Sequence, residues 1–149
     1  MLYRLSYVGG TQPDSICYKL GANPMARIDQ VLDKARRRLK RLTPEQAAAE
    51  RARGALLVDT RTSEQRSRDG EIPGAIVIDR SVFEWRLDPT SPTHVAEAAD
   101  TEVTVIVICA EGYSSSLAAA SLLDLGLVNA TDVIGGFAAW KAAGLPVSR

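Results

Sequence analysis

The chain has 149 residues, 46% of them hydrophobic, and its 18 basic and 18 acidic residues give a formal net charge of zero. A chain of this length can bury a core of its own, so we expect a globular protein and not a disordered one. Zero net charge argues against general binding to nucleic acid. No apolar run approaches the roughly 18 residues that a membrane-spanning helix needs, so we expect no contact with a membrane.

Residues 1–24 differ in composition from the rest of the chain. They are rich in Tyr, Ser, Gly and Pro without a clear period, and Met25 begins a segment typical of a protein start. We interpret residues 1–24 as a poorly ordered, irregular N-terminal extension and Met25 as a candidate native start. This segment lacks the continuous apolar core of a signal peptide, so we expect a cytoplasmic protein.

Two cysteines and one histidine restrict the metal and redox chemistry of the chain. A disulfide between Cys17 and Cys109 is conceivable, but a cytoplasmic protein of this size does not need one. The single histidine, His94, and the lack of a C-x-x-C motif argue against a zinc site. We therefore expect no metal and no cofactor, and we interpret Cys17 as incidental and His94 as a surface loop residue.

Residues 25–42 are predicted to form an amphipathic basic helix. Apolar residues recur at helical spacing from Ile28 to Leu42, and basic residues fill the other face between Lys34 and Arg41. A run of charges is usually a solvated face, which is the interpretation that we favour. The alternative is a patch that binds RNA or an acidic partner.

Predicted helices and strands alternate from Thr43 onward. Thr43 and Gln46 form a capping box for a helix that ends near Gly54. Predicted strands follow at residues 55–59, 75–78, 103–108 and 131–134, and predicted helices at 114–125 and 137–141. Residues 80–100 are less regular, and Pro89 and Pro92 indicate a loop within them. This alternation predicts an α/β fold with a central parallel sheet, and the most apolar strand, 103–108, at its centre.

The segment from Cys109 to Ser115, called here the Cys109 loop, is the strongest candidate site. The thiol lies where a buried strand ends and a small-residue turn opens a helix. Backbone N–H groups and the positive end of a helix dipole favour a thiolate, and they bind the anion that it forms. We predict Cys109 as a catalytic nucleophile, with serine hydroxyls from 114 to 116 as further donors. The loop residues around it are Ala110, Glu111, Gly112, Tyr113, Ser114 and Ser115. The alternative is an inert buried cysteine.

Residues 43–149 resemble a single-domain, bacterial-type rhodanese, which is a sulfurtransferase. The motifs that carry the resemblance are Thr43-Pro44-Glu45-Gln46, Leu57-Val58-Asp59-Thr60-Arg61, Gly70-Glu71-Ile72-Pro73-Gly74-Ala75, the Cys109 loop, Gly135-Gly136-Phe137-Ala138-Ala139-Trp140 and Gly144-Leu145-Pro146-Val147. The resemblance implies a rhodanese-like fold with a central parallel sheet and helices on both faces. It also implies transfer of a sulfane sulfur through a Cys109 persulfide to a thiol or cyanide acceptor. The expected partners are a small sulfur donor and a thiol acceptor, which could be a protein.

The loop departs from the family pattern C-x-x-G-x-R-S at one position. Ser114 stands where the family has an arginine that helps to hold the sulfonate of thiosulfate. No side chain of the loop is a cation, and Glu111 adds a negative charge, so a dianionic donor gains less binding energy here. We therefore expect persulfide chemistry at Cys109, and the sequence leaves open whether thiosulfate is the physiological donor.

Three further residues are predicted to support the loop. Asp59 and Arg61 follow the end of a strand and would brace the site, although a surface ion pair is an equal alternative. Arg86, or Arg80 near it, could bring a cation into the pocket, because loops after parallel strands gather at the same edge of the sheet. The alternative for Arg86 is pairing with a neighbouring surface carboxylate.

Two other functions stay open at this stage. A phosphatase or arsenate reductase of related fold would need an arginine clamp and a loop one residue longer than this one. A rhodanese fold without its loop arginine could also be a catalytically weak persulfide carrier, or a partner-binding or redox-sensing module. The basic helix would then serve as the partner surface.

Overall fold

The structure is a computed structural model in which residues 25–149 are described. Its centre is a four-stranded sheet with every strand pair parallel. In chain order the strands are β1 (Leu56–Asp59), β2 (Ile76–Val77), β3 (Val105–Ile108) and β4 (Ala130–Asp132), and their spatial order is β2-β1-β3-β4. The helices are α1 (Arg27–Arg37), α2 (Pro44–Ala52), α3 (Ser63–Asp69), α4 (Phe83–Leu87), α5 (Ser114–Asp124) and α6 (Gly136–Ala142).

Strand β3 lies inside the sheet and is buried at all four positions. Val105 and Val107 contribute to one hydrophobic cluster, and Ile106 and Ile108 contribute to a second one. Successive side chains of a strand point to opposite faces, so a strand covered on both faces is apolar at every position. The predicted fold, a parallel sheet with helices on both faces, is confirmed.

The two faces of the sheet carry separate cores. On one face, the fully buried side chains of Phe83 and Leu87 from α4 pack with Leu122 of α5. On the other face, Trp140 of α6 packs with Ala47 of α2, and its indole N–H donates a hydrogen bond of 3.0 Å to the Pro146 carbonyl. This double cover fixes the ends of β3 and β4, where the site lies.

Residues 80–100, interpreted only as less regular, begin with helical structure. A 3₁₀ turn at Arg80–Val82 leads directly into helix α4. The helix has five residues, too few to show a helical period in the sequence. Its stability comes from tertiary packing, because Phe83 and Leu87 are both buried completely.

Helix α3 was also not predicted from the sequence. It begins with a capping box between Thr62 and Gln65, of the same form as the predicted box between Thr43 and Gln46 in α2. None of its residues is buried, so its sequence has no apolar face of helical spacing that would predict a helix. The capping motif alone was the available indication.

Helix α1 is shorter than predicted. It ends at Arg37, and Leu42 forms a parallel bridge with Val133 instead of continuing the helix. Ile28 and Val31, predicted to share the apolar face, are more than half exposed. Residues 32–149 form one compact unit, so the last turns of α1 belong to the body that carries the sheet.

The predicted extension at residues 1–24, with Cys17, lies outside the described residues. The proposed boundaries at 24/25 and 42/43 stay predictions. From residue 25 onward, the structure has no helix with the length and apolar character needed to cross a membrane.

We predict that Phe83→Ala lowers the free energy of unfolding by about 3–5 kcal/mol, because the buried ring leaves a cavity. Urea unfolding followed by circular dichroism measures this change. Trp85→Ala in the same helix is the matched control, since its side chain is 62% exposed and its loss should cost less than about 0.5 kcal/mol. Equal losses in the two variants would contradict the packing of α4.

Candidate active site

Cys109 follows the last residue of β3 directly, as predicted from the sequence. Its side chain is 6% exposed, and it is a free cysteine in the part of the chain that the structure describes. The residues that follow turn across the end of the sheet and enter α5 at Ser114. The thiol therefore lies at the carboxyl end of an interior parallel strand, where open α/β sheets place their ligand sites.

Two backbone N–H groups of the loop donate hydrogen bonds to the sulfur of Cys109. The donor nitrogen of Gly112 lies 3.2 Å from Sγ and that of Ser115 lies 3.3 Å from it. N–H donors aimed at an atom stabilise negative charge on that atom. Helix α5 adds the positive end of its dipole at the same point. The predicted loop does gather around the thiol, and the catalytic role of Cys109 stays a prediction.

The carbonyl groups of the loop are held on the side away from the sulfur. At the start of α6, the N–H of Phe137 donates to the Cys109 carbonyl at 2.8 Å, and that of Ala138 donates to the Ala110 carbonyl at 3.0 Å. In a trans peptide the C=O and N–H groups point in opposite directions. These bonds therefore turn the N–H groups of Ala110 and Glu111 away from α6.

Several N–H groups of the loop have no acceptor within the described chain. They are the N–H groups of Ala110, Glu111 and Tyr113. In each case the carbonyl of the same peptide accepts a hydrogen bond from a residue outside the loop, and the N–H itself donates to no other described residue. A concave run of N–H groups without partners is a common anion-binding feature. The loop therefore has donors available for a bound anion.

Gly112 and Gly136 let the loop lie directly against the start of α6. Both have positive φ, 87° and 61°, a conformation that other residues rarely adopt. A Cβ atom on Gly136 would lie 2.6 Å from both the Cys109 carbonyl oxygen and the Gly112 nitrogen. From the sequence, Gly135-Gly136 was noted only as part of a family motif, whereas in the structure both glycines lie against the backbone of the loop.

Asp132, at the end of β4, is a fully buried carboxylate beneath the loop. It accepts hydrogen bonds of 2.8 Å from the hydroxyls of Ser115 and Ser116, and it forms an ion pair with Arg41 at 2.8 Å. A buried charge requires such partners. The prediction that serine hydroxyls serve the sulfur is therefore wrong for Ser115 and Ser116, while Ser114 is exposed. The sequence analysis missed Asp132 altogether.

Two arginines before the predicted domain boundary reach the Gly112 carbonyl of the loop. The Nη2 atoms of Arg36 and Arg41 lie 2.7 Å and 3.1 Å from the Gly112 oxygen. The prediction of a solvated basic face is wrong for these two residues. Lys34 and Arg38 are exposed, as the prediction of a solvated face requires.

Asp59 and Arg61 form a buried ion pair, so the surface alternative is wrong. Arg61 Nη2 lies 2.7 Å from Asp59 Oδ2 and 2.9 Å from the Gly70 carbonyl, and its guanidinium stacks on the Phe137 ring at 3.7 Å from the ring centroid. Phe137 in turn holds the Cys109 carbonyl. The pair contacts the loop through one intermediate residue, and its bracing role stays a prediction.

The structure does not bring Arg86 to the loop. Arg86 donates to the Thr93 carbonyl at 2.6 Å, and Arg80 pairs with Glu84 at 3.0 Å. Neither arginine makes a hydrogen bond or ion pair with the loop among residues 25–149. The cation missing at position 114 is not supplied from this segment.

A cleft of about 480 Å³ opens beside Ala110 and Glu111. Its other walls come from α3 and α6, and they carry both signs of charge. The residues that complete it are Arg68, Asp69, Phe137, Ala138, Lys141 and Ala142. The hydrogen bond from Arg68 holds the pKa of the Asp69 carboxyl below its ordinary value. This cleft is a candidate path for small substrates to the loop.

We predict that Gly136→Ala lowers kcat/KM for sulfur transfer by about a hundredfold, since a displacement of about 1 Å in a reacting group can cost that much. The added methyl would collide with the loop backbone. Gly126→Ala is the matched control, because its φ of 89° gives similar backbone strain with open space around the Cβ position. It should lose about 1–2 kcal/mol of stability and keep its activity. An active Gly136→Ala enzyme would contradict this contact.

Comparison with known proteins identifies the family. Residues 43–143 match the rhodanese-like domain family. Thiosulfate sulfurtransferase GlpE from Pseudomonas entomophila is 38% identical over 103 residues, which cover 69% of this chain and 85% of that protein.

Two solved structures support the assignment. One is a protein of unknown function from Rhodopseudomonas palustris, named as a possible tyrosine phosphatase, with a TM-score of 0.74 and 33% identity over 84% of this chain and 97% of that one. The other is thiosulfate sulfurtransferase from Pseudomonas aeruginosa, with a TM-score of 0.60 and 27% identity over 78% of this chain and 21% of that one. The motifs around Cys109, the parallel sheet and these similarities agree, and the chain belongs to the rhodanese-like family of sulfurtransferases.

Proposed function

We propose that this protein transfers a sulfane sulfur by way of a persulfide on Cys109 and passes it to a thiol or cyanide. The observation that carries the proposal is the pair of N–H groups, from Gly112 and Ser115, that donate to the Cys109 sulfur. These donors stabilise negative charge on the sulfur, and membership of the family supports the reaction class.

In the first step the Cys109 thiolate attacks the outer sulfur of a donor such as thiosulfate. A new sulfur–sulfur bond forms to Cys109 while the sulfur–sulfur bond of the donor breaks, and its electron pair leaves with sulfite. The negative charge of the thiolate ends on the outer sulfur of the persulfide. The N–H groups of Ala110, Glu111 and Tyr113 are the donors proposed to stabilise that charge.

In the second step an acceptor removes the outer sulfur. A thiolate or cyanide attacks it, the bond to Cys109 breaks, and its electron pair returns to Cys109 as thiolate. The products are a new persulfide or thiocyanate, and the enzyme is regenerated without an external oxidant or reductant. The cleft beside Ala110 and Glu111 is wide enough for a small thiol, and a protein acceptor is the other candidate.

The identity of the donor is part of the proposal. Relatives named for thiosulfate support thiosulfate as a donor that the protein accepts. Ser114 leaves the loop without the side chain that would hold a sulfonate, so we propose a less charged persulfide as the preferred donor. We also place the enzyme in the cytoplasm, where thiols stay reduced, because the reaction needs Cys109 as a free thiol.

We predict that wild-type protein gains about 32 Da, one sulfur atom, when it is treated with thiosulfate or cysteine persulfide. Intact-protein mass spectrometry measures the adduct, and peptide mapping assigns it to Cys109. Cys109→Ser should abolish both the adduct and steady-state turnover. Cys17→Ser is the matched control and should retain both.

Other outcomes would favour the rival functions. An adduct on Cys109 without steady-state turnover would indicate a persulfide carrier. Hydrolysis of p-nitrophenyl phosphate without sulfur transfer would favour the phosphatase activity suggested for the Rhodopseudomonas protein. That outcome is not expected, because the loop has no arginine to clamp the equatorial oxygens of a phosphate.

A further inference from the structure

The Cys109 loop has no cationic side chain, yet a guanidinium lies directly against its backbone. We infer that Arg36 is a positioning residue for this loop, and that it supplies from outside residues 43–143 the positive charge that position 114 lacks. This inference rests on the proposed persulfide function. It concerns which residues prepare the loop for an anionic donor.

Three contacts hold the Arg36 guanidinium in place. Its Nη2 donates to the Gly112 carbonyl at 2.7 Å, and its Nε donates to the Ser116 hydroxyl at 3.1 Å. Its central carbon lies 5.5 Å from the centroid of the Tyr113 ring, within the range of a cation–π contact. Arg36 therefore spans the loop and the first turn of α5 with its rigid planar fork.

The bond to the Gly112 carbonyl sets the direction of the next N–H group. The carbonyl of Gly112 and the N–H of Tyr113 belong to one trans peptide, so they point in opposite directions. With the carbonyl fixed on the Arg36 side, the Tyr113 N–H faces the other way, and it has no acceptor in the described chain. Arg36 thus prepares one donor of the anion-binding loop.

Arg36 has no direct carboxylate partner in the described chain; its nearest link to one is through Ser116, whose hydroxyl donates to Asp132. Arg41 contacts the same carbonyl, but its charge is paired with the buried Asp132 carboxylate at 2.8 Å. None of the ion pairs between residues 25 and 149 includes Arg36. Arg36 therefore offsets the negative charge that Glu111 brings to the loop, and its field attracts an incoming anion.

A purely structural role for Arg36 is the competing explanation, and Arg38 provides the matched control. Arg38 lies two residues further along, is exposed, and pairs with Asp124 at the other end of α5 at 2.7 Å. Arg38→Met removes the same charge and a contact to the same helix without touching the loop. Arg36→Lys keeps the charge, and Arg36→Gln keeps an N–H donor without the charge.

The test compares kcat/KM for two donors: thiosulfate, with two negative charges, and cysteine persulfide, whose ammonium group offsets part of its negative charge. Arg36→Met should lower the value for thiosulfate about tenfold, the size of one charge-assisted hydrogen bond, chiefly through KM. The loss for cysteine persulfide should be smaller. Arg36→Lys should recover most of the loss, and Arg38→Met should match wild type. The fall of kcat/KM with rising ionic strength should also be shallower without the charge.

Two results would overturn the inference. One is unchanged kinetics in Arg36→Met; the other is an equal loss for both donors that Arg36→Lys does not restore and that parallels a lower Tm. If Arg36→Met does not fold, the same comparison is made with Arg36→Gln, which should show the loss for thiosulfate. Mass spectrometry separates the two proposals: a wild-type protein without a Cys109 adduct refutes the persulfide function, whereas equal rates of adduct formation in wild type and variant refute only the role of Arg36.

Discussion

The site depends on holding the carbonyl groups of the Cys109 loop away from the sulfur. A carbonyl oxygen turned toward a thiolate or persulfide would repel it, and three carbonyls of the loop accept hydrogen bonds that hold them away from it. The start of α6 provides donors for the carbonyls of Cys109 and Ala110, and Arg36 and Arg41 provide them for Gly112. Gly136 makes the hydrogen bonds from α6 possible, since the Cβ of any larger residue would collide with the loop backbone. The direction of the N–H groups proposed to bind an anion is thus set by hydrogen bonds on the opposite side of the loop.

The buried Asp132 carboxylate connects this opposite side of the loop to the rest of the molecule. It joins Ser115 and Ser116 of α5 to Arg41, and therefore connects Arg41, which precedes α2, to the sheet. Breaking one partner of a buried ion pair typically costs about 3–5 kcal/mol, because the other charge stays buried. The position of Arg41 is consequently fixed by β4, and Leu42 continues the connection through its bridge to Val133. Residues 36–42 therefore contact the site, although they lie outside the residues that match the family.

The sequence predicts the parts of this structure that are local. Apolar residues at every position from Val105 to Ile108 predict a strand covered on both faces, and Cys109 at its end predicts the place of the thiol. The contacts of Arg36 could not be predicted in this way, because its partners are 76 and 80 residues away. A basic run on a helix has the same pattern whether its arginines face solvent or a loop carbonyl. Helical period gives the face of a residue, and only the folded chain gives its partner.

The position of the cation also bears on which donor the protein uses. An arginine in the loop could touch the oxygens of a sulfonate, whereas Arg36 is bonded to a loop carbonyl and acts through its field and through the direction of one peptide. A field acts on any anion, and an oriented N–H group serves the sulfur that all donors deliver. Because Ser114 stands at the position of the family's arginine, the loop has no side chain that would contact the leaving sulfite directly. Under the proposed function, the loop would stabilise the persulfide that every donor forms, and it would lack the arginine contact to the sulfonate of thiosulfate.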